Sequence, residues 1–175
     1  MDKTRILFIC LGNICRSPAA NAIMQQIVDK AGLTDKFVID SAGIGSWHVG
    51  QLPDERMRRH GAMRGYKIDH IARQFDARHD FEDFEYIVVM DDENYRNICR
   101  QARSHSSCRG GTMSADGEGW RVIRMAEYFI KYKGRTSVPD PYYGSGADFD
   151  LALDLIEDGC NGILKTITDK CSGNK

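Results

Sequence analysis

The residues of this chain that are best suited to chemistry lie close to its N-terminus. Cys10 and Arg16 are separated by five residues, in the run Cys10-Leu11-Gly12-Asn13-Ile14-Cys15-Arg16-Ser17-Pro18. A thiol and a guanidinium at this spacing could act together on an anion, the thiol as nucleophile and the guanidinium as counter-charge. The spacing alone is weak evidence, because chance gives such a pair roughly 0.4 times in a chain of this composition. Its meaning therefore depends on the elements around it.

The segments on either side of the pair predict a strand, a tight loop and a helix. Residues 4–10 form a short apolar run, which is typical of a strand buried on both faces. Apolar residues then recur at helical spacing over residues 20–31. Ser17 suits the N-cap of this helix, Pro18 its first position and Gly32 its C-terminal end.

This order of elements favours an anion at the loop. Backbone N–H groups of a tight loop can point inward together, and the N-terminus of the following helix adds partial positive charge. The planar guanidinium of Arg16 can hold two phosphate oxygens. The same field stabilises a thiolate at Cys10, to which the Ser17 hydroxyl can donate a hydrogen bond. The loop therefore predicts a nucleophile that attacks phosphorus, with a buried, inert cysteine beside a surface arginine as the alternative.

A phosphoryl transfer also needs a proton for the leaving oxygen, and one downstream segment can supply it. Asp140 stands between Pro139 and Pro141 and is followed by Tyr142 and Tyr143. The two proline rings restrict the backbone and can fix where the carboxyl group points. Taken alone, a segment of this kind is more often an ordinary turn.

Short apolar runs alternate with helical patterns along the chain. The predicted strands are residues 4–10, 37–40, 86–90 and 120–125, and the predicted helices are 18–31, 54–63, 91–102 and 148–167. Residues 104–119 are rich in Ser and Gly and predict a loop. The alternation indicates one α/β domain over residues 1–175, a Rossmann-like three-layer fold in which a four-stranded parallel sheet has helices on both faces. In such a sheet the site lies beyond the C-terminal end of the first strand.

The predicted helix at 54–63 carries a cluster of arginines. Arg56, Arg58, Arg59 and Arg64 lie on it or beside it. Like charges on a helix usually form a solvated face, and the sequence favours that interpretation here.

The composition excludes several classes of protein. The chain has 175 residues, 42% hydrophobic and 28% charged, with a net charge of −1, which indicates neither disorder nor a nucleic-acid-binding surface. No apolar run reaches the roughly 18 residues of a membrane span. The six cysteines and five histidines form no CxxC and no zinc-ligand spacing. We therefore expect reduced thiols, no metal, no membrane insertion and a cytoplasmic protein.

Taken together, two motifs resemble those of the low-molecular-weight protein tyrosine phosphatases. They are the run from Cys10 to Pro18 and the segment Asp140-Pro141-Tyr142-Tyr143, and between them Ser41-Ala42-Gly43, Trp47, His70-x-Ala72-Arg73 and Met90-Asp91 follow the order of the family. The resemblance spans most of the chain. It implies a phosphotyrosine phosphatase I-like fold, tyrosine-phosphorylated proteins as partners, and no metal or organic cofactor.

The resemblance also implies a role for each matching residue. Cys10 would become phosphocysteine, Arg16 and the loop amides would bind the phosphoryl oxygens, and Asp140 would protonate the leaving phenolate and then help to activate water. Asn13, Ser41 and His70 would support the loop. The residues implied to bind substrate are Leu11, Gly12, Asn13, Ile14, Cys15, Ser17, Trp47, Tyr142 and Tyr143.

Substrate choice and redox behaviour are implied as well. Trp47, Tyr142 and Tyr143 would wall a slot that phosphotyrosine can reach into and phosphoserine cannot. Ile14 favours phosphotyrosine, because relatives that hydrolyse phosphoarginine carry Thr at its position. Cys15 would form a reversible disulfide with the nucleophile under oxidation, so we expect reversible inactivation by peroxide.

Alternative functions use the same loop. A thiol-dependent arsenate reductase shares the fold but needs resolving cysteines after the third strand, where Asp91-Asp92-Glu93 stand instead. A phospho-binding module without turnover would not need both Cys10 and Asp140. A sulfurtransferase that carries a persulfide on Cys10 has no other support in the sequence. Residues 103–133 form a longer connection than is usual in the family and are interpreted as a surface excursion, and a monomer is expected.

Overall fold

Four parallel strands in the order β2-β1-β3-β4 form the centre of the molecule. The computed structural model describes residues 3–109 and 119–172. The strands are β1 (Thr4–Cys10), β2 (Phe37–Gly43), β3 (Tyr86–Val89) and β4 (Arg121–Arg124), and the helices are α1 (Arg16–Lys30), α2 (Glu55–Met63), α3 (Asp80–Asp83), α4 (Asp92–Arg109) and α5 (Gly146–Ser172). The parallel sheet predicted from the alternating pattern is confirmed.

The sheet is buried on both faces, because apolar side chains of its central strands point alternately to either side. In β1, Ile6 and Phe8 pack in one core with α1 and α5. Leu7 and Ile9 pack in a second core that includes residues of α3 and α4. All four side chains are fully buried. The predicted three-layer arrangement, with helices on both faces, follows from this alternation.

The start of α1 differs from the prediction. The helix begins at Arg16, Cys15 occupies the cap position, and no side chain caps it. The Ser17 hydroxyl, predicted to be the cap, bonds instead with the Cys10 thiol and the Asn13 amide. The predicted end is correct, since Gly32 follows the helix with φ +68°, a conformation that glycine adopts without strain.

The loop predicted at 104–119 is wrong in its first part, because α4 continues to Arg109. Tertiary packing opposes the loop-forming composition there: His105 is buried and its ring lies 5.3 Å from that of Phe81. Residues 110–118 lie outside the described part of the chain. Helix α5 is also longer than predicted at both ends.

The arginines near α2 are only partly a solvated face. Arg58 and Arg59 are exposed as expected. Arg64 bonds to Asp154 at 2.7 Å and to Glu157 at 3.2 Å on α5. The prediction is therefore wrong for Arg64. Arg56 does not simply face solvent either, because its Nη2 donates to the Tyr142 carbonyl at 2.9 Å.

A buried carboxylate anchors the segment that leads to Asp140. Asp158 in α5 accepts hydrogen bonds from the amides of residues 130–132 at 2.9–3.1 Å. Further along, the amide of Val138 donates to the carbonyl of Met90 at 2.8 Å. The segment is thereby held against the C-terminal end of β3.

Candidate active site

Cys10 is the last residue of β1, and its thiol lies at the base of the loop that joins β1 to α1. The residue is 3% exposed. Its Sγ lies 3.0 Å from Ser17 Oγ, so a hydroxyl is in place to donate to a thiolate. Hydrogen bonds of this kind stabilise the charged form of sulfur, which is the nucleophilic form.

Asn13 connects the loop to its surroundings. Its Nδ2 donates to Ser17 Oγ at 2.8 Å and to Ser41 Oγ at 3.0 Å, and its Oδ1 accepts from the Arg73 amide at 3.0 Å. The side chain is fully buried, and the backbone has φ 58°, a left-handed conformation that Asn tolerates better than most residues. Two predicted support residues, Asn13 and Ser41, are therefore in one hydrogen-bonded chain with Ser17.

The third predicted support residue lies further out. His70 Nδ1 is 3.7 Å from Asp40 Oδ1, and its buried Nε2 has no partner among the described residues. Asp40 in turn accepts a hydrogen bond from Arg73 Nε at 3.0 Å. His70 is thus connected to the loop only indirectly, through Asp40 and then Arg73, whose amide binds Asn13. Its role in supporting the loop stays a prediction.

The end of β2 forms the floor beneath the loop. The amide of Ile44 donates to the Cys10 carbonyl at 3.0 Å, and the amide of Gly45 donates to the Leu11 carbonyl at 2.8 Å. A Cβ atom on Gly43 would lie 2.9 Å from the Gly12 carbonyl carbon and 3.0 Å from the Asn13 nitrogen. Glycine is needed at position 43 because the loop backbone lies directly against it.

The Arg16 guanidinium is buried and held on two sides. Nη1 donates to Asp91 Oδ2 at 2.6 Å and to the Val138 carbonyl at 3.0 Å, while Nη2 lies 3.4 Å from Asp140 Oδ2. Burial lowers the pKa of Arg16, but the neighbouring Cys10, Asp91 and Asp140 outweigh it, so the pKa is raised. Its buried Nε has no partner among the described residues, which leaves a fixed cation with a donor for an anion.

Asp140 stands at the mouth of the same site. Its Oδ1 accepts from the Tyr142 amide at 3.2 Å, and the carboxyl group is 41% exposed. It borders a cavity of about 330 Å³, which is lined by Cys10, Leu11, Gly12, Ile14, Cys15, Arg16, Trp47, His48, Asp140, Tyr142 and Tyr143. The structure thus brings the candidate nucleophile, cation and acid to one cavity, together with the three predicted aromatic walls.

Cys15 lines the cavity but differs from Cys10 in character. Burial raises the pKa of its thiol above the ordinary range, and the charge of Asp54 raises it further. Cys15 is therefore a neutral thiol at physiological pH.

Sequence reasoning gave no role to two residues of the site. Asp91 holds Arg16, and a signal for it existed: it lies two residues after the end of β3, and the C-terminal ends of parallel strands share one edge of the sheet. His48 lines the cavity, with Nδ1 2.9 Å from Gln51 Oε1. Apart from its place beside Trp47, nothing in the sequence marks His48.

Within the described residues, no group of three or more His, Cys, Asp or Glu side chains could hold a metal ion. None of the helices over residues 3–109 and 119–172 has both the length and the apolar character needed to span a membrane.

Fold and site together define a class of α/β protein in which the first parallel strand places a thiol at the base of a cavity that a buried arginine also lines. The sequence pattern of the low molecular weight phosphotyrosine protein phosphatases matches residues 5–172, and the chain belongs to this family. The expected relationship to these hydrolases is thereby confirmed.

Individual proteins show how close the similarity is. A Synechocystis protein provisionally named a low molecular weight protein-tyrosine-phosphatase is 43% identical over 163 residues, 93% of this chain and 96% of that protein. A protein tyrosine phosphatase from Entamoeba histolytica has a similar crystal structure, with TM-score 0.84, 36% identity and coverage of 96% of this chain and 99% of that one. The Drosophila arginine phosphatase DARP is similar with TM-score 0.79, 32% identity and coverage of 93% and 96%.

Proposed function

We propose that this protein hydrolyses phosphotyrosine in proteins through a covalent phosphocysteine intermediate. The observation that carries the proposal is the convergence of three groups on one cavity: the Cys10 thiol at its base, the buried Arg16 guanidinium, and the Asp140 carboxyl 3.4 Å from Arg16 Nη2. A nucleophile, an anion-binding cation and a proton donor are the parts that metal-free phosphoryl transfer needs.

In the first step, the Cys10 thiolate attacks phosphorus and the bond from phosphorus to the phenolic oxygen breaks. Asp140, protonated at this stage, gives its proton to that oxygen, so the dephosphorylated protein leaves with a neutral tyrosine. Arg16 and the loop amides bind the three equatorial oxygens, whose charge they stabilise in the transition state.

In the second step, a water molecule attacks the phosphorus of phosphocysteine. Asp140, now a carboxylate, takes a proton from that water, and the bond from phosphorus to sulfur breaks. Inorganic phosphate leaves and Cys10 returns to a thiolate beside the Ser17 hydroxyl. The partial exposure of Asp140 supports this role, because water must reach it.

The walls of the cavity support phosphotyrosine as the substrate. Trp47 and Tyr143 border it and are 67% and 96% exposed, so they stand above the loop and deepen the approach to Cys10. Ile14 offers an apolar contact at 9% exposure and no hydroxyl for a guanidinium nitrogen. This favours an aryl phosphate over the phosphoarginine suggested by the name of the Drosophila relative.

The test is turnover of a phosphotyrosine peptide, with phosphoserine and phosphoarginine peptides and arsenate in parallel, without added metal. We expect phosphotyrosine cleavage in the parent and none in Cys10→Ser. An intact fold that cleaves no phosphotyrosine would contradict the proposal, and arsenate reduction would then favour the reductase. Asp140→Ala tests the acid, and we expect it to lower turnover about 10²-fold or more.

The partners of this reaction are tyrosine-phosphorylated proteins. Every group in the proposed mechanism comes from one chain, so a monomer suffices. A thiolate nucleophile keeps its activity where thiols stay reduced, and the cytoplasm is such a compartment.

A further inference from the structure

The N-terminus of α2 touches both loops of the candidate site. On one side, the backbone amide of Asp54 donates to the Ile14 carbonyl in the phosphate-binding loop at 2.7 Å. On the other side, Arg56 Nη2 donates to the Tyr142 carbonyl in the Asp140 loop at 2.9 Å. Two residues of one helical turn therefore bridge the loop of the nucleophile and the loop of the acid.

Two hydrogen bonds to the Asp54 carboxylate hold the Arg56 side chain in place. Asp54 Oδ1 accepts from Arg56 Nε at 3.1 Å and Oδ2 accepts from Nη2 at 2.9 Å. The hydrogen bond to Arg56 lowers the pKa of Asp54, and the same bond raises the pKa of Arg56, so both remain charged at physiological pH. The guanidinium carbon also lies 4.7 Å from the ring centre of Phe149, a fully buried residue of α5.

Tyr142 connects Arg56 to Asp140, which lies two residues earlier in the chain. The Tyr142 carbonyl is held by Arg56, and the Tyr142 amide donates to Asp140 Oδ1 at 3.2 Å. The guanidinium carbon lies 5.5 Å from the Tyr142 ring centre as well. Because the Asp140 carboxyl is 41% exposed, packing restrains it little, and its direction depends on these contacts and on Arg16.

We propose that the Asp54–Arg56 pair is a positioning element that fixes the Asp140 loop relative to the Cys10 loop, so that the carboxyl group meets the leaving oxygen. The inference rests on the proposed function, in which Asp140 is the acid. Arg56 forms its hydrogen bonds with Asp54 and with the Tyr142 carbonyl, and not with Cys10 or Asp140, so it acts through Tyr142. Loss of Arg56 should therefore impair proton donation more than attack by the thiolate.

Leaving-group dependence separates these two effects. A tyrosine phenolate needs a proton as it leaves, whereas p-nitrophenolate is a weak base and leaves without one. We expect Arg56→Gln to lower kcat/KM about tenfold for a phosphotyrosine peptide and about twofold or less for p-nitrophenyl phosphate. Arg59→Gln on the same helix is the matched control, because Arg59 is exposed, and it should leave both values unchanged.

The outcomes distinguish this inference from the proposed function. Equal losses on both substrates in Arg56→Gln, with selective loss in Asp140→Ala, would overturn the positioning role and leave the acid assignment intact. Equal losses in Asp140→Ala would overturn the acid assignment and the inference with it. Thermal unfolding shows whether Arg56→Gln is folded. If it is not, Arg56→Lys is compared on the same two substrates. Lysine keeps the positive charge but cannot make both hydrogen bonds to Asp54, so we again expect a larger loss of kcat/KM for the phosphotyrosine peptide.

Discussion

At the scale of single residues, Cys10 and Cys15 share one loop but not one environment. Cys10 faces the Ser17 hydroxyl at 3.0 Å and shares the cavity with Arg16. Cys15 is buried beside the Asp54 charge, and burial keeps the pKa of its thiol high. Because the proposed function makes Cys10 the thiolate nucleophile, we expect an oxidant that reacts with thiolates to attack Cys10, with Cys15 as the nearby thiol.

Peroxide treatment tests this difference. Peroxide converts the Cys10 thiolate to a sulfenic acid, and the Cys15 thiol can then condense with it, releasing water and forming a disulfide that added thiol reduces. We expect the parent to recover its activity with thiol after peroxide and Cys15→Ser to recover less, because its sulfenic acid is oxidised further. Cys171→Ser, at an exposed cysteine, is the control. Recovery in Cys15→Ser as complete as in the parent would show that Cys15 has no protective role.

At the scale of elements, the end of β2 determines the shape of the loop that joins β1 to α1. We expect Gly43→Ala to lower the free energy of unfolding by about 1–3 kcal/mol, because the added methyl group would lie 2.9 Å from the Gly12 backbone. Phosphatase activity should fall with it, since the displaced amides no longer converge on phosphate. Gly134→Ala is the matched control, with no atom within 4 Å of its added carbon. Chemical denaturation and kcat/KM of both variants measure the difference, and equal stability would refute the steric argument.

The contact between Tyr66 and helix α5 predicts that the stability of the fold depends on pH. The Tyr66 hydroxyl donates to Glu157 Oε1 on α5 at 3.1 Å. Burial, and then the Glu157 charge, raise the pKa of Tyr66 from 10.0 to about 12. Since the folded-state pKa is the higher one, the neutral phenol stabilises the fold fully below pH 10.0, and this stabilisation is lost as pH rises through about 12.

Tyr66→Phe removes this contribution. We expect the variant to be less stable than the parent at pH 7 by about 1 kcal/mol, as for one partly exposed hydrogen bond. The difference in unfolding midpoint should narrow as pH rises from 10.0 towards 12. Thermal unfolding of both proteins across this range measures it, and a difference that stays constant with pH would contradict the assignment.

The elements were predictable from sequence where the signal is local. The apolar run ending at Cys10 and Gly32 after α1 depend on neighbours a few residues away, and both were predicted correctly. Specific contacts between distant side chains were not predictable. The place of Asp91 after β3 indicates the shared edge of the sheet, but not its contact with Arg16, 75 residues away, and nothing in the sequence indicates that Arg56 meets Tyr142 across 86 residues. Such pairs form only when packing brings strand ends and helix ends together. No local sequence pattern shows which distant residues will lie close in space.

Ser17 shows how a local signal can be present and still mislead. A serine before Pro18 is a good helix cap by residue type. In the folded chain its hydroxyl meets the Cys10 thiol and the Asn13 amide instead. The Cys10 thiol and the Asn13 amide thus compete with the helix N-terminus for the same hydroxyl. The sequence pattern does not show which of these partners the hydroxyl binds.

At the scale of the whole molecule, each strand of the parallel sheet leads to one part of the site. Cys10 ends β1 and Arg16 follows that strand, the segment after β2 carries Trp47, β3 is followed by Asp91, and Asp140 lies beyond β4. Parallel strands place all these C-terminal ends at one edge. The depth of the cavity is therefore a property of the assembled edge, and no single loop determines it.

Trp47 offers a test of that depth. The ring stands over Gly45, where an added Cβ would lie 1.8 Å from Trp47 Cζ3, so the close packing of the bare glycine backbone keeps the wall in place. We expect Trp47→Ala to lower kcat/KM for a phosphotyrosine peptide roughly tenfold, because a ring contact with the substrate is lost. Activity on a phosphoserine peptide should change little, since the shorter side chain gains nothing from the wall. The ratio of the two kcat/KM values measures the discrimination between phosphotyrosine and phosphoserine.

The matched control is Val49→Ala. Val49 is 54% exposed on the same segment and lies outside the cavity lining, so its substitution should leave the ratio unchanged. An equal loss on both peptides in Trp47→Ala would mean that Trp47 supports the loop rather than setting the depth of the slot.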